Sequence, residues 1–133
     1  MMLSRSIGYG LIAVAFIAKR GGDAWTQGEL VSKEYDIPIE YLLKIMNQLV
    51  RANILRSKRG PSGGYSLAKP AKDITMLEVI EAVDGPYRRS FDLAGQAKKN
   101  RFAGRMDQVC TKAADQAIAI LKKTRFSDLV TKG

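Results

Sequence analysis

Residues 54–67 read Ile54-Leu55-Arg56-Ser57-Lys58-Arg59-Gly60-Pro61-Ser62-Gly63-Gly64-Tyr65-Ser66-Leu67. Two short β-like runs flank a turn of glycine, proline and serine, which is the pattern of a hairpin. Upstream, Pro38 suits the first position of a helix that continues to about Ala52, and Asn53 suits its C-terminal end. Leu42, Ile45, Met46 and Leu49 recur at helical spacing and mark the buried face. A short turn, Asp36-Ile37, precedes this helix. Before it, Thr26 and Glu29 match a Ser/Thr-x-x-Glu capping box, which predicts a helix opening at Thr26, carrying Leu30 and Val31 and ending near Tyr35. Two short helices, a tight turn and a hairpin predict a winged helix-turn-helix. Its second helix would enter a major groove and its hairpin would be the wing.

The flanking sequence extends this frame. A first helix is expected from about Ser4 to Lys19, with Ile7, Leu11, Val14 and Ala18 facing a core and Gly21-Gly22 as its stop. Thr75 and Glu78 form a second capping box, opening a helix with Leu77, Val79, Ile80 and Val83 that Asp84-Gly85-Pro86 ends. A last long helix runs from about Phe102 to Lys123. Along it Phe102, Met106, Val109, Ala113, Ala117 and Ile120 recur at steps of three and four, a narrow apolar seam. The expected fold is mainly α with a small β-hairpin. Residues 1–85 form the winged helix-turn-helix, 86–101 a basic loop, and 102–133 the long helix and tail.

The chain has 133 residues, 46% hydrophobic and 26% charged, close to an ordinary globular domain. Lysine and arginine number 22 against 13 acids, a formal charge of +9, which favours a polyanionic partner. There is no histidine, so Ser-His-Asp and Cys-His catalysis and histidine-containing zinc sites are excluded. Cys110 is the single cysteine, which excludes an intramolecular disulfide and a CxxC metal knuckle and fits a reducing compartment such as the cytoplasm. No nucleophile with a paired base and no recognisable carboxylate pair stands out, so an enzyme is not expected. The longest apolar run, Ile7 to Ala18, is too short for the roughly 20 residues of a membrane span. Arg5 and the small residues Ala13-Val14-Ala15 imitate a signal peptide. That cleavage site would lie inside the apolar run rather than after it, and a core-facing helix suits the spacing better.

The outward face of the helix from Pro38 carries Glu40, Tyr41, Lys44, Asn47, Gln48 and Arg51. Such side chains hydrogen-bond base edges or phosphates, although an ordinary solvated helix face has the same composition. The next segment separates the two readings. Arg51, Arg56, Lys58 and Arg59 place four cations within nine residues with no acid among them. Arginine at a wing tip suits a narrow minor groove, where the negative potential is strongest. Gly60, Ser62, Gly63 and Gly64 make a turn whose backbone amides could approach phosphates. No Lys-Ser/Thr follows the glycines, so the turn is not a P-loop.

The run Arg59–Leu67 resembles the wing signature of the IscR/NsrR/CymR family of bacterial winged-helix regulators, the Rrf-type repressors. Tyr9 before an apolar helix, Ile37-Pro38-Ile39-Glu40-Tyr41-Leu42, Ile74–Ile80 and Arg125-Phe126-Ser127-Asp128-Leu129 are similar to other parts of that family. The resemblance spans essentially the whole chain. It implies a cytoplasmic homodimer that binds double-stranded DNA at a pseudo-palindromic operator, usually as a repressor. It also implies that the seam of the long helix is the dimerisation element. In that frame Arg59 reaches the minor groove, while Tyr41 and Lys44 lie on the base-facing helix. Glu40 and Lys44 stand where many relatives carry other polar residues, so the operator is this chain's own.

One departure concerns the sensor. Many relatives hold an iron–sulfur cluster through three cysteines in the loop after the fourth helix. The corresponding positions fall near Asp92, Lys98 and Gly104, and position 8, acidic in some relatives, is Gly8. The chain is therefore expected to carry no cluster, no other metal and no cofactor. Cys110 borders the apolar seam and reads as a buried structural thiol. The alternative is a redox sensor, in which two such thiols approach across a two-fold seam and Lys112 lowers the thiol pKa. Arg88, Arg89, Lys98, Lys99, Arg101 and Arg105 against Asp92 give the basic segment a charge of +5 between residues 88 and 105. It reads as a solvated loop, as a contact to flanking phosphates, or as a dock for a regulatory protein or small effector. The other reading of the whole chain is a winged-helix protein-interaction module.

Overall fold

The computed structural model describes residues 3–21, 24–86, 93–98 and 100–131. The first helix is α1, Arg5–Arg20, which Ser4 caps by accepting from the Ile7 N–H at 3.2 Å. Of the expected core face Ile7 and Val14 are buried and Leu11 and Ala18 half-buried, while Ala13 and Ile17 are buried beside them. Helix α2 spans Gly28–Tyr35 and α3 spans Ile39–Arg51. Between them Asp36 takes the left-handed conformation at φ 54° and Ile37 is buried, which sets the tight turn.

Two expected helix starts are corrected. The capping box at Thr26 does not form, because Thr26 pairs with Tyr65 through hydrogen bonds of 2.8 and 2.7 Å in both directions. A residue held as a β-bridge cannot also cap a helix, so α2 starts two residues later with Gln27 at its N-cap. Pro38 likewise sits at the N-cap of α3 rather than inside its first turn.

Asn53, at φ 61°, turns the chain out of α3 into β1, Leu55–Lys58, which pairs antiparallel with β2, Gly64–Leu67. The register sets Leu55 opposite Leu67, Arg56 opposite Ser66, Ser57 opposite Tyr65 and Lys58 opposite Gly64. A 3-10 turn at Ala71–Asp73 leads to α4, Met76–Asp84. Here the capping box is complete: Thr75 accepts from the Glu78 N–H, and Glu78 accepts from the Thr75 N–H.

The expected loop contains a short helix, α5, at Leu93–Gln96. Arg88, Arg89, Asp92 and Lys99 lie outside the described residues. Helix α6 covers Arg101–Lys123, 23 residues and so about 34 Å long. Its end returns to the helical domain. Thr124 accepts from the Met76 N–H at 3.0 Å, Arg125 bridges Thr75, and the Phe126 N–H donates to Ile74 at 3.0 Å. Phe126, 1% exposed, anchors the last helix, α7, Phe126–Val130, against α1. The architecture is therefore mainly helical, with a two-stranded wing and a long C-terminal helix. No helix among the described residues is long and apolar enough to cross a membrane.

Candidate nucleic-acid interface

Helix α3 divides as its sequence predicts. Leu42, Ile45, Met46 and Leu49 are buried, while Glu40, Tyr41, Lys44, Asn47 and Arg51 are exposed and Gln48 is half-buried. Two of the outward side chains have partners of their own. Tyr41 shares a hydrogen bond with Ser6 and packs edge-on against Tyr9, with ring centroids 5.6 Å apart. It thus ties α3 to the start of α1 and is less free to meet a base than the sequence suggests. Asn47 accepts a hydrogen bond from the Tyr65 hydroxyl at 3.0 Å, which ties α3 to the wing. Burial of Tyr65, and then the nearby charge of Glu29, raise its pKa, so the hydroxyl keeps the proton it donates.

Arg56, Lys58 and Arg59 are all exposed along β1 and at the start of the turn. Gly60, Pro61 and Ser62 are exposed at the tip, with Gly60 at φ 104°. Gly63 and Gly64 serve a different purpose from the one their sequence suggests. Gly63 is buried and its N–H donates to Gly60 at 3.0 Å, so that amide is not available to a phosphate. A Cβ at Gly63 would stand 2.1 Å from the Lys58 carbonyl oxygen, and one at Gly64 would stand 2.5 Å from the Thr26 carbonyl oxygen. Both glycines are required by close backbone approach within the wing.

The sequence reading missed the segment behind the wing. Thr26 extends the hairpin as a bridge beside β2, and Gln27 donates from Nε2 to the Pro61 carbonyl at 3.1 Å. Arg20 donates to the Thr26 hydroxyl at 2.7 Å. Trp25 lies under two wing cations, with Arg56 Cζ 5.0 Å and Lys58 Nζ 5.6 Å from its ring centroid. The only ion pair with both partners among the described residues is Lys69–Glu78, away from this face. Lys44, Arg51, Arg56, Lys58 and Arg59 are therefore exposed cations, none of them ion-paired with an acid of the described residues, and Glu40 is the one acid on the outward face of α3.

The predicted seam of α6 is on the outside of the single chain. Phe102, Met106, Val109 and Ile120 are 45–67% exposed, Ala113 is exposed, and Ala117 is half-buried. Ala103 is the one fully buried residue of the helix and faces the chain's own core. Cys110 is exposed, which corrects the expectation of a buried thiol. The physical reason is its place beside this outward stripe, rather than on the side of Ala103.

The profile of the Rrf2 family, described as iron-dependent transcriptional regulator, matches residues 3–132. The HTH-type transcriptional regulator IscR of Cereibacter sphaeroides is 30% identical over 135 aligned positions, covering 98% of this chain and 87% of the relative. The oxidized form of CymR from Staphylococcus aureus superposes with a TM-score of 0.78 at 25% identity, covering 98% of this chain and 97% of that one. T. potens IscR shares the fold, with a TM-score of 0.80 at 20% identity and coverage of 99% and 88%.

The iron in the family's description meets no fitting donor set among the described residues. The chain offers one cysteine and no histidine. Among the described residues no three His, Cys, Asp or Glu side chains group so as to hold a metal ion. Lys98 and Gly104 stand at two of the expected ligand positions, and neither supplies a thiolate. Asp92, at the third, lies outside the described residues.

Proposed function

The chain belongs to the Rrf2 family of transcriptional regulators, and from that premise we propose that it is a cytoplasmic homodimeric repressor that grips a pseudo-palindromic operator without an iron–sulfur cluster. It is a DNA-binding regulator and not an enzyme. The observation that carries the finer reading is the surface of exposed cations without ion pairs shared by α3 and the wing, which the Asn47–Tyr65 bond joins into one unit.

Lys44, Asn47 and Gln48, with Glu40 and Tyr41 beside them, would face base edges in the major groove. Arg51, Arg56 and Lys58 would neutralise phosphates, supplying affinity with no sequence preference. Arg59, at the exposed tip with Gly60 and Ser62, would enter the adjacent minor groove. Two copies joined along Phe102, Met106, Val109, Ala113, Ala117 and Ile120 would place two α3 helices on half-sites about one helical turn, or a multiple, apart. The exposed apolar stripe supports that pairing, because a lone chain would leave it in water.

The test is a salt titration of binding to duplex DNA. A steep fall of log affinity with log salt is expected. A flat response would favour the protein-interaction module instead. The exposure of Cys110 keeps a redox role open to experiment. A Cys110→Ser protein that binds DNA and answers oxidant as the wild type does would remove that role.

A further inference from the structure

Trp25 lies outside both wing strands, yet both Arg56 and Lys58 stand over its ring. The register explains how one side chain reaches two cations. Thr26 pairs with Tyr65, so Thr26, Tyr65 and Ser57 share one face of the three-stranded arrangement. Trp25, Gly64, Ser66, Arg56 and Lys58 fall on the other face. The two β2 residues on that face, Gly64 and Ser66, are small and leave room for the indole to lie across the strand towards β1. The alternation of β1 then brings Arg56 and Lys58, two residues apart, onto the same ring.

We infer that Trp25 is a positioning residue of the DNA interface, holding Arg56 and Lys58 in the geometry that meets phosphate; this rests on the reading of the wing as a DNA contact. A guanidinium over an aromatic ring uses one side of the cation and leaves N–H groups pointing away from the ring, so the ring contact and a phosphate contact coexist. A long cationic side chain free in water loses rotamer entropy when it is fixed on a phosphate. The cation–π contact removes part of that loss before DNA arrives. The chain segment itself is firmly set, by the Thr26–Tyr65 bridge and by the Gln27–Pro61 hydrogen bond on either side of β2 and the turn. Each cation–π contact at a partly exposed site corresponds to about a 2- to 5-fold change in an equilibrium.

The experiment is a mutant cycle on duplex DNA of random sequence at fixed salt, using wild type, W25L, R56A/K58A and W25L/R56A/K58A, with thermal melting recorded for each. Leucine keeps an apolar side chain and removes the aromatic face. W25L is expected to weaken binding by about 5-fold in the wild-type background and to change nothing once Arg56 and Lys58 are absent. W25F, which keeps a ring, is expected to recover part of the loss, and it carries the same cycle should W25L fail to fold. Equal losses in both backgrounds, or no loss in W25L, would overturn the inference while leaving the wing reading intact. Wild-type affinity in R56A/K58A would instead overturn the wing reading on which the inference stands.

Discussion

The helix-turn-helix with its wing and the long helix α6 are built on the same amphipathic logic and end in opposite states. On α3 the apolar face is closed: Leu42, Ile45, Met46 and Leu49 are each at most 2% exposed. Burial of such side chains contributes about 1.5–3 kcal/mol each. On α6 the apolar stripe is open, with Phe102 at 56% and Val109 at 67% exposure. The first region closes its apolar face within one chain and offers mainly polar and charged groups outward, with Leu30 and Tyr41 as exposed exceptions. The second leaves its apolar stripe in water in the single chain. In the proposed function recognition and assembly are thereby separated along the chain, and substitutions should separate them too.

The largest effect is expected where the open stripe is closed to a partner. M106D/V109D should yield a monomer by sedimentation and lower affinity for a genomic duplex selected by the wild-type protein by about 10²- to 10⁴-fold, the gain that two linked sites provide. A variant that stays dimeric would assign the stripe another role. Next is Gly63→Ala, whose Cβ would meet the Lys58 carbonyl oxygen at 2.1 Å. A loss of about 1–3 kcal/mol in thermal or urea unfolding is expected, together with weakened DNA binding, while the α6 assembly persists. Arg59→Ala should leave the fold unchanged and cost about 1–3 kcal/mol of binding to the same selected duplex at fixed salt.

Smaller again is Thr75→Ala, which removes the cap of α4 and should cost about 1 kcal/mol of stability. Its partner Glu78 has a pH signature. Burial pushes the carboxyl up, but hydrogen bonds from Lys69 and the Thr75 N–H, with the charges of Lys69 and Arg125, hold its pKa below the ordinary value. A depressed carboxylate pKa adds stability above the unfolded-state value and loses it as pH falls through the folded-state value. The stability difference between wild type and E78Q should therefore shrink on acidification through the carboxylate range. A difference that stayed constant would contradict this.

What the sequence made legible was local. The two faces of α3, the hairpin and the Thr75–Glu78 box all depend on residues within a few positions of one another, and all appear in the structure. The false box at Thr26 has the same local pattern as the true one. It fails because Tyr65, 39 positions away, takes the Thr26 backbone into a bridge. The cation–π contacts of Trp25 and the tethering of Tyr41 and Asn47 were hidden for the same reason, since each joins separate elements. Gly60 and Gly63 lie in the expected turn, whereas Gly64 is the first residue of β2. The close contacts of Gly63 with Lys58 and of Gly64 with Thr26 could be seen only once the strands were paired.

The proposed recognition rests on the positive surface, and salt dependence measures it most directly. Log affinity for duplex DNA should be followed against log salt for the wild type and for R51A/R56A/K58A. The slope should become shallower by about one for each phosphate contact removed. An unchanged slope, with both proteins folded and dimeric, would show that this face does not meet DNA.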